Sequence, residues 1–126
     1  MTSWRQERWT VARMERLALD DLPARHDADE GLQILDVREQ TEWDAGHIPG
    51  STFIPWHDIV RLPEGLSADR PIAVVCASGQ RAATAASLVE RYGARHVIHV
   101  VDGGVPKWGR LGHPLETTGE PANVAA

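Results

Sequence analysis

The 126-residue sequence has one cysteine, Cys76, and this scarcity excludes an internal disulfide bond. A fold without disulfides does not depend on an oxidising compartment. The sequence also lacks any run of about 20 apolar residues, the length that a membrane-spanning helix needs. Charged residues interrupt the N-terminal segment, where a secretory signal would need an apolar core. These absences predict a cytoplasmic protein that does not enter the membrane.

Basic residues are fewer than acidic ones, with 13 Lys and Arg against 18 Asp and Glu and a formal net charge of -5. Proteins that bind nucleic acids normally carry a basic face, so the composition argues against a nucleic-acid partner. The six histidines are scattered, and no two of them share metal-ligand spacing on an evident helix. The sequence therefore predicts no metal site.

The pattern of apolar residues in the sequence fits a single α/β domain. Short apolar runs alternate with helical patterns, which indicates a largely parallel sheet. We predict strands over residues 13–17, 32–37, 51–54, 72–75 and 96–101, and helices or helical turns over residues 20–28, 39–45, 55–61 and 105–111, with a further helix after Cys76 that ends at Gly93. The domain is expected over residues 13–116, after a lead segment (1–12) and before a flexible tail (117–126).

Cys76 lies where the apolar strand 72–75 gives way to a helix, and parallel sheets place their ligands at such carboxyl ends. Residues 76–81 are called the Cys76 loop below. The five residues that follow the cysteine are small or polar, and they are Ala77, Ser78, Gly79, Gln80 and Arg81. Such a loop aims backbone N–H groups and the positive end of the next helix at the sulfur. We therefore expect a thiol that ionises easily and that can hold a negatively charged adduct.

Arg81 is unusual in the first turn of a helix, because a cation there opposes the helix dipole. Its presence suggests that the guanidinium binds an anionic substrate in a bidentate manner. The opposing interpretations are a solvated surface arginine and a cysteine that only fills the core. A Cys76 side chain that faced the interior, with no peptide donors around it, would exclude the catalytic interpretation.

Four ordered blocks of the sequence resemble the rhodanese family. Residues 35–39 are similar to the family's signature after its second strand, and residues 42–51 are similar to its next block. The Cys76 loop resembles the Cys-x-x-Gly-x-Arg active loop of single-domain members, and residues 101–108 resemble the closing Gly-Gly block. The resemblance implies a three-layer rhodanese-like domain, in which helices cover both faces of a mostly parallel five-stranded sheet.

The resemblance also implies a sulfurtransferase. Cys76 would be the nucleophile that takes sulfane sulfur from a small anionic donor such as thiosulfate and passes it to cyanide or a thiol. The main chain of residues 77–81 would cradle the persulfide, and Arg81 would also bind the donor's anionic group. No metal and no organic cofactor is implied. With one domain and no evident coiled coil, we expect a monomer.

Three further residues are candidate supporting residues. Asp36 and Arg38 would brace the loops through hydrogen bonds and ion pairing, since buried charges need partners. In the alternative interpretation, Arg38 belongs to the donor site. His47 would make structural hydrogen bonds, with an acid–base role as its alternative. Trp56 would either shape the rim of the pocket or fill the core.

Two other functions could use the same residues. Related phosphatases and arsenate reductases share this fold but have five residues between cysteine and arginine, whereas this loop has four. A loop shorter by one residue should be too small for a tetrahedral phosphate. A sulfur-relay module would instead deliver persulfide sulfur to a protein partner. Purely binding domains of this fold typically lack the cysteine, which this chain keeps.

Overall fold

The computed structural model describes residues 13–117. The predicted lead segment (1–12) lies outside the described residues, as does all of the predicted tail after its first residue. Among the described residues, no helix combines the length and the hydrophobicity that are needed to traverse a bilayer.

Within residues 13–117, five strands form one sheet. They are β1 (Arg13–Ala18), β2 (Gln33–Asp36), β3 (Thr52–Phe53), β4 (Ile72–Val75) and β5 (His96–Val101). Every adjacent pair is parallel, and the order across the sheet is β1-β5-β4-β2-β3. The strand that leads to Cys76, β4, is therefore central, with β5 on one side and β2 on the other. The prediction of a mostly parallel five-stranded sheet is confirmed.

Four α-helices follow these strands in the described part of the chain. They are α1 (Leu22–Ala28), α2 (Gln40–Ala45), α3 (Gln80–Arg91) and α4 (Val105–Arg110). α3 buries one face, which consists of three alanines and a valine at helical spacing. A 3-10 turn at Trp56–Asp58 takes the place of the helical turn predicted over residues 55–61.

Alternate residues of the central strands enter two separate hydrophobic clusters, one on each face of the sheet. Val74 faces the cluster that α3 covers, called the α3 cluster below. Val75 faces the opposite cluster, which contains Leu22 of α1 and Trp108 of α4. Cys76 belongs to the α3 cluster. Helices therefore cover both faces of the sheet, as the three-layer prediction requires.

The prediction of a helix that starts at Asp20 needs correction. Leu19–Asp21 forms a 3-10 turn, and α1 starts only at Leu22. Pro23 occupies the second position of α1. A proline fits there because the first N–H groups of a helix have no intrahelical acceptor, so its missing N–H breaks no hydrogen bond. The acidic residues before the proline belong to the turn and not to the helix.

Candidate active site

Cys76 directly follows β4 and lies at the carboxyl end of the central strand. It is 0% exposed, like the four residues of β4. Two backbone N–H groups contact its sulfur, with Gly79 N at 2.9 Å and Ala82 N at 3.3 Å from Sγ. The side chain therefore faces the interior, as that of a core cysteine would, but two peptide donors also contact its sulfur.

The Cys76 loop can fold back onto the sulfur because of Gly79. The φ angle of Gly79 is 109°, a backbone conformation that residues with a side chain rarely adopt. A Cβ at this position would also lie 3.4 Å from the carbonyl oxygen of Val100 in β5. Glycine thus allows the loop to turn tightly against β5 and to direct its N–H group at Sγ.

The first turn of α3 leaves further N–H groups at the same place. In the hydrogen bonds formed within residues 13–117, the N–H groups of Gln80 and Arg81 have no acceptor. These residues are the first two of α3, and helix geometry gives such positions no intrahelical partner. The site can therefore offer peptide donors to a negatively charged group bound next to Sγ.

The connection between β5 and α4 packs against the backbone of the Cys76 loop. Val105 N donates to the carbonyl oxygen of Cys76 at 3.0 Å. Gly104 lies so close that a Cβ there would overlap this oxygen. His99 of β5 reaches the loop as well, with Nε2 at 2.8 Å from the carbonyl oxygen of Gly79. β5 and the turn after it therefore fix two carbonyl groups of the Cys76 loop.

Arg81 is bound by a carboxylate of α2. Its Nη1 and Nη2 donate to the two carboxylate oxygens of Glu42 at 2.7 and 3.0 Å. The side chains of Arg81 and Glu42 are 30% and 35% exposed. The hydrogen bond from Arg81 lowers the pKa of Glu42 to about 2, and Glu42 in turn raises the pKa of Arg81. Arg81 thus links the Cys76 loop to α2 and is not a free surface cation.

Asp36 and Arg38 form a buried ion pair at the end of β2. Arg38 Nη2 lies 2.7 Å from Asp36 Oδ2, and it donates to the carbonyl oxygen of Gly46 at 2.7 Å. The backbone N–H of Arg38 also donates to Asp36 Oδ1 at 3.0 Å. The side chains of Arg38 and Asp36 are 5% and 1% exposed, so each buried charge depends on the other. This geometry supports the bracing interpretation, since the guanidinium binds a carboxylate of β2 and a carbonyl oxygen after α2.

The contacts of His47 involve residues outside the Cys76 loop. Its ring stacks on Trp43 with centroids 3.5 Å apart, and Nδ1 lies 2.9 Å from the Trp43 carbonyl oxygen. Its backbone forms an antiparallel bridge with Glu116. These contacts hold the turn after α2, which is the structural role expected of His47. Trp56 packs against the α3 cluster, to which Cys76 belongs.

Sequence reasoning assigned no role to three residues that contact the Cys76 loop. Glu42 and Gly104 lie inside the family-like blocks, but nothing in the sequence identifies their partners. His99 did leave a signal, because it interrupts the apolar run of β5. A polar ring on the buried face of a strand normally has a hydrogen-bond partner, and here the partner is the loop.

Known proteins resemble the chain in sequence. Residues 18–111 match the family model described as the rhodanese-like domain. The chain is 37% identical over 87 residues to the putative sulfur carrier protein YrkF of Bacillus subtilis, a match that covers 69% of this chain and 47% of that protein. It is 35% identical over 98 residues to the thiosulfate sulfurtransferase GlpE of Pseudomonas paraeruginosa, covering 77% of this chain and 87% of that protein. The chain therefore spans most of GlpE but only about half of YrkF.

A solved structure shares the fold. The solution NMR structure of the rhodanese-like domain from the Anabaena sp Alr3790 protein superposes with a TM-score of 0.71 at 30% sequence identity. The match covers 84% of this chain and 83% of that one. The family model, the relatives and the shared fold agree with one another. The chain therefore belongs to the rhodanese-like domain family.

Proposed function

We propose that the chain transfers sulfane sulfur through a persulfide on Cys76, from a small anionic donor such as thiosulfate to cyanide or a thiol. The observation that carries this proposal is the pair of peptide N–H groups that contact Sγ. Gln80 and Arg81 add two N–H groups that lack an acceptor among the described residues. Hydrogen-bond donors that converge on one region stabilise an anion there, and the charged outer sulfur of a persulfide would lie in that region, next to Sγ.

The first half-reaction is a displacement at sulfur. The Cys76 thiolate attacks the outer sulfur of thiosulfate, so that a new S–S bond forms at Sγ while the S–S bond of the donor breaks. Sulfite leaves with the electron pair of the broken bond, and the protein keeps the persulfide anion. The step consumes no external oxidant or reductant.

The second half-reaction returns the protein to its starting state. Cyanide attacks the outer sulfur, the S–S bond to Sγ breaks, and its electron pair returns to Sγ as thiocyanate leaves. The cycle is a double displacement. In the proposed cycle the N–H groups of Gly79 and Ala82 stay on Sγ, while those of Gln80 and Arg81 would face the outer sulfur of the persulfide.

The burial of Cys76 supports a small donor. Because Cys76 is 0% exposed, the attacking sulfur lies below the surface of the loop. A donor must therefore bring its outer sulfur past the loop to reach Sγ. The terminal sulfur of a compact molecule such as thiosulfate needs a smaller opening of the loop than a bulky donor does.

Intact-mass measurement after thiosulfate treatment tests the proposal. The wild type should gain the mass of one sulfur atom, and cyanide should remove it. Cys76→Ser should gain nothing, because a serine hydroxyl cannot form the persulfide. A wild type that takes up no sulfur, or a Cys76→Ser protein that takes up as much as the wild type, would overturn the proposal.

Arg81 is proposed to assist the donor's anionic group. Glu42 takes one hydrogen bond from each of its two terminal nitrogens, and a guanidinium has further N–H donors to offer. Arg81→Ala should raise the KM for thiosulfate about tenfold or more, because a hydrogen bond to a charged group contributes about 1.5–3 kcal/mol. Arg91→Ala, an exposed arginine at the end of the same helix, is the matched control. An unchanged KM in Arg81→Ala would remove Arg81 from donor binding.

The name of one relative favours a second candidate function. YrkF is described as a putative sulfur carrier protein, and this chain matches 47% of it. In a sulfur relay, the Cys76 persulfide would pass its outer sulfur to a thiol of a protein partner by the same displacement. A relay predicts persulfide formation with poor cyanide turnover, whereas rapid thiocyanate release favours the enzyme that uses small acceptors.

Phosphatase or arsenate reductase chemistry ranks below both. The loop has four residues between Cys76 and Arg81, and its amide donors lie close to Sγ, at 2.9 and 3.3 Å. Such a loop suits one added sulfur better than a tetrahedral oxyanion. Turnover of an aryl phosphate, together with no activity on thiosulfate, would reverse this ranking.

A further inference from the structure

We propose that His99 is a positioning residue for sulfur transfer, because its imidazole fixes the peptide group between Gly79 and Gln80. The inference rests on the persulfide proposed at Cys76. His99 Nε2 lies 2.8 Å from the carbonyl oxygen of Gly79. A carbonyl oxygen can only accept a hydrogen bond, so Nε2 carries the proton and donates it.

β5 places His99 on the same face of the sheet as the Cys76 loop. Its neighbours Ile98 and Val100 belong to the opposite cluster, whereas Val97, two residues earlier, belongs to the α3 cluster. His99 pairs with Val74 of β4, the second residue before the cysteine. The alternation of β5 favours an apolar side chain at this position. The imidazole instead spans the distance to the start of α3, where it binds the loop.

The hydrogen bond from His99 determines how one peptide plane is oriented. The Gly79 carbonyl also accepts the N–H of Ala83 at 3.2 Å, so two donors occupy the two lone pairs of its oxygen. In a trans peptide the C=O and N–H groups point in opposite directions. The N–H of Gln80 must therefore point out of the first turn of α3, toward the side on which the loop would hold an anion.

The orientation of the Gly79–Gln80 peptide plane is most easily lost at Gly79. A glycine backbone has access to more conformations than any other residue, and here its N–H contacts Sγ at 2.9 Å. Without His99, the bond from Ala83 alone would hold the Gly79–Gln80 peptide. A rotation of this peptide would turn the Gln80 N–H away from the outer sulfur. The loss should therefore affect the rate of sulfur capture more than the binding of the donor.

Two substitutions of His99 and one matched control separate positioning from general stability. His99→Phe keeps a ring and removes the donor, whereas His99→Gln restores an N–H group. His96→Phe removes another histidine of β5, whose Nε2 is 2.8 Å from Glu15 and does not contact the loop. We expect His99→Phe to lower kcat for thiosulfate turnover about three- to tenfold, with KM changed less than about twofold. His99→Gln should recover most of the rate, and His96→Phe should keep the wild-type kcat.

Two outcomes of the kinetic experiment would overturn the proposal. One is an unchanged kcat in His99→Phe. The other is a loss that His99→Gln fails to recover although urea unfolding shows that it is as stable as the wild type. In that case the histidine would only support the fold.

A second measurement needs no sulfur donor, so it distinguishes failure of this inference from failure of the proposed function. The amide NMR shifts of Gly79 and Gln80, and the rate at which iodoacetamide alkylates Cys76, report the geometry of the loop directly. Both should change in His99→Phe and not in His96→Phe. No change in either measurement would overturn the role of His99, whereas a wild type that takes up no sulfur would overturn the persulfide proposal.

Discussion

The two sides of the Cys76 loop are held by different kinds of contact. On the side toward β5, two N–H groups donate to two loop carbonyls, and Gly104 packs against one of them. On the side toward β2, the contact is an ion pair between Arg81 and Glu42. One side therefore depends on backbone shape, and the other depends on charge.

The difference separates two requirements of the proposed anion site. The backbone contact from Val105 to Cys76 is buried and carries no net charge, so it does not vary with salt, and it holds the loop that carries the amide donors. A partly exposed ion pair is screened by salt and contributes little to stability, but it keeps a cation beside the loop. The side toward β5 contains no ion pair and is called the neutral side below; it sets the geometry of the site. The side with the Arg81–Glu42 pair is called the charged side, and it sets the electrostatic potential of the site. Three experiments test this difference.

The largest effect is expected from the buried pair that supports the charged side. Arg38 ties the end of β2 to the segment that carries α2, through Asp36 and the carbonyl oxygen of Gly46. Arg38→Met would leave the Asp36 carboxylate buried without its partner. The free energy of unfolding should fall by about 3–5 kcal/mol, as measured by urea denaturation.

Two control variants accompany Arg38→Met. Arg61→Met changes an exposed arginine and should stay within about 0.5 kcal/mol of the wild type. The double substitution Asp36→Asn with Arg38→Met removes both charges, so it should cost less than Arg38→Met alone. A single variant as stable as the wild type would show that the charged side needs no buried support.

The second-largest effect is expected from a substitution on the neutral side. Gly104→Ala would place a Cβ on the carbonyl oxygen of Cys76, so the turn or the loop must shift. We expect a destabilisation of about 3 kcal/mol, at the upper end of the usual cost of overpacking, and a loss of persulfide formation in the fraction that remains folded. Gly31→Ala is the control, because its nearest new contact is 3.4 Å away. Normal sulfur uptake by Gly104→Ala would contradict a geometry set by the neutral side.

The smallest effect is expected in the pH dependence of folding stability. Arg81 lowers the pKa of Glu42 from its usual 4.5 to about 2 in the folded protein, so the unfolded chain takes up this proton at a higher pH. The stabilisation is therefore present above about pH 4.5 and is lost as the pH falls toward about 2. Because both side chains are about a third exposed, it should not exceed about 1 kcal/mol.

Glu42→Gln measures this contribution directly. The difference in unfolding free energy between the wild type and Glu42→Gln should shrink as the pH falls through that window. High salt at neutral pH should shrink it as well, because screening weakens an exposed pair. If the difference were constant across both titrations, the Arg81–Glu42 contact would not act through charge.

The strands around the cysteine could be predicted from local sequence alone. The predicted strands 72–75 and 96–101 coincide with β4 and β5. The first is an uninterrupted apolar run, and the second is rich in β-branched residues although His99 interrupts it. The start of α1 could not be placed in the same way. The acidic residues before Pro23 suit the first turn of a helix, but they form a separate 3-10 turn.

The hydrogen-bond partners of the Cys76 loop could not be predicted from local sequence patterns. Arg81 binds a carboxylate 39 positions away, and His99 reaches a carbonyl 20 positions away. Periodicity predicts which face of an element is buried, but these contacts depend on the order of the strands in the sheet, which periodicity does not contain. An interpretation of Arg81 as an anion ligand was therefore possible from sequence, whereas its bond to Glu42 was not.

The close packing of Gly104 on the Cys76 carbonyl also bears on when the protein becomes competent during its synthesis. Gly104 follows the last strand of the sheet, so the amide donors can take their final arrangement only after nearly the whole domain has emerged from the ribosome and collapsed. In the proposed sulfur transfer, a nascent chain that has folded only as far as β4 would lack this support for the Cys76 loop. Persulfide formation should therefore begin only once the domain is complete.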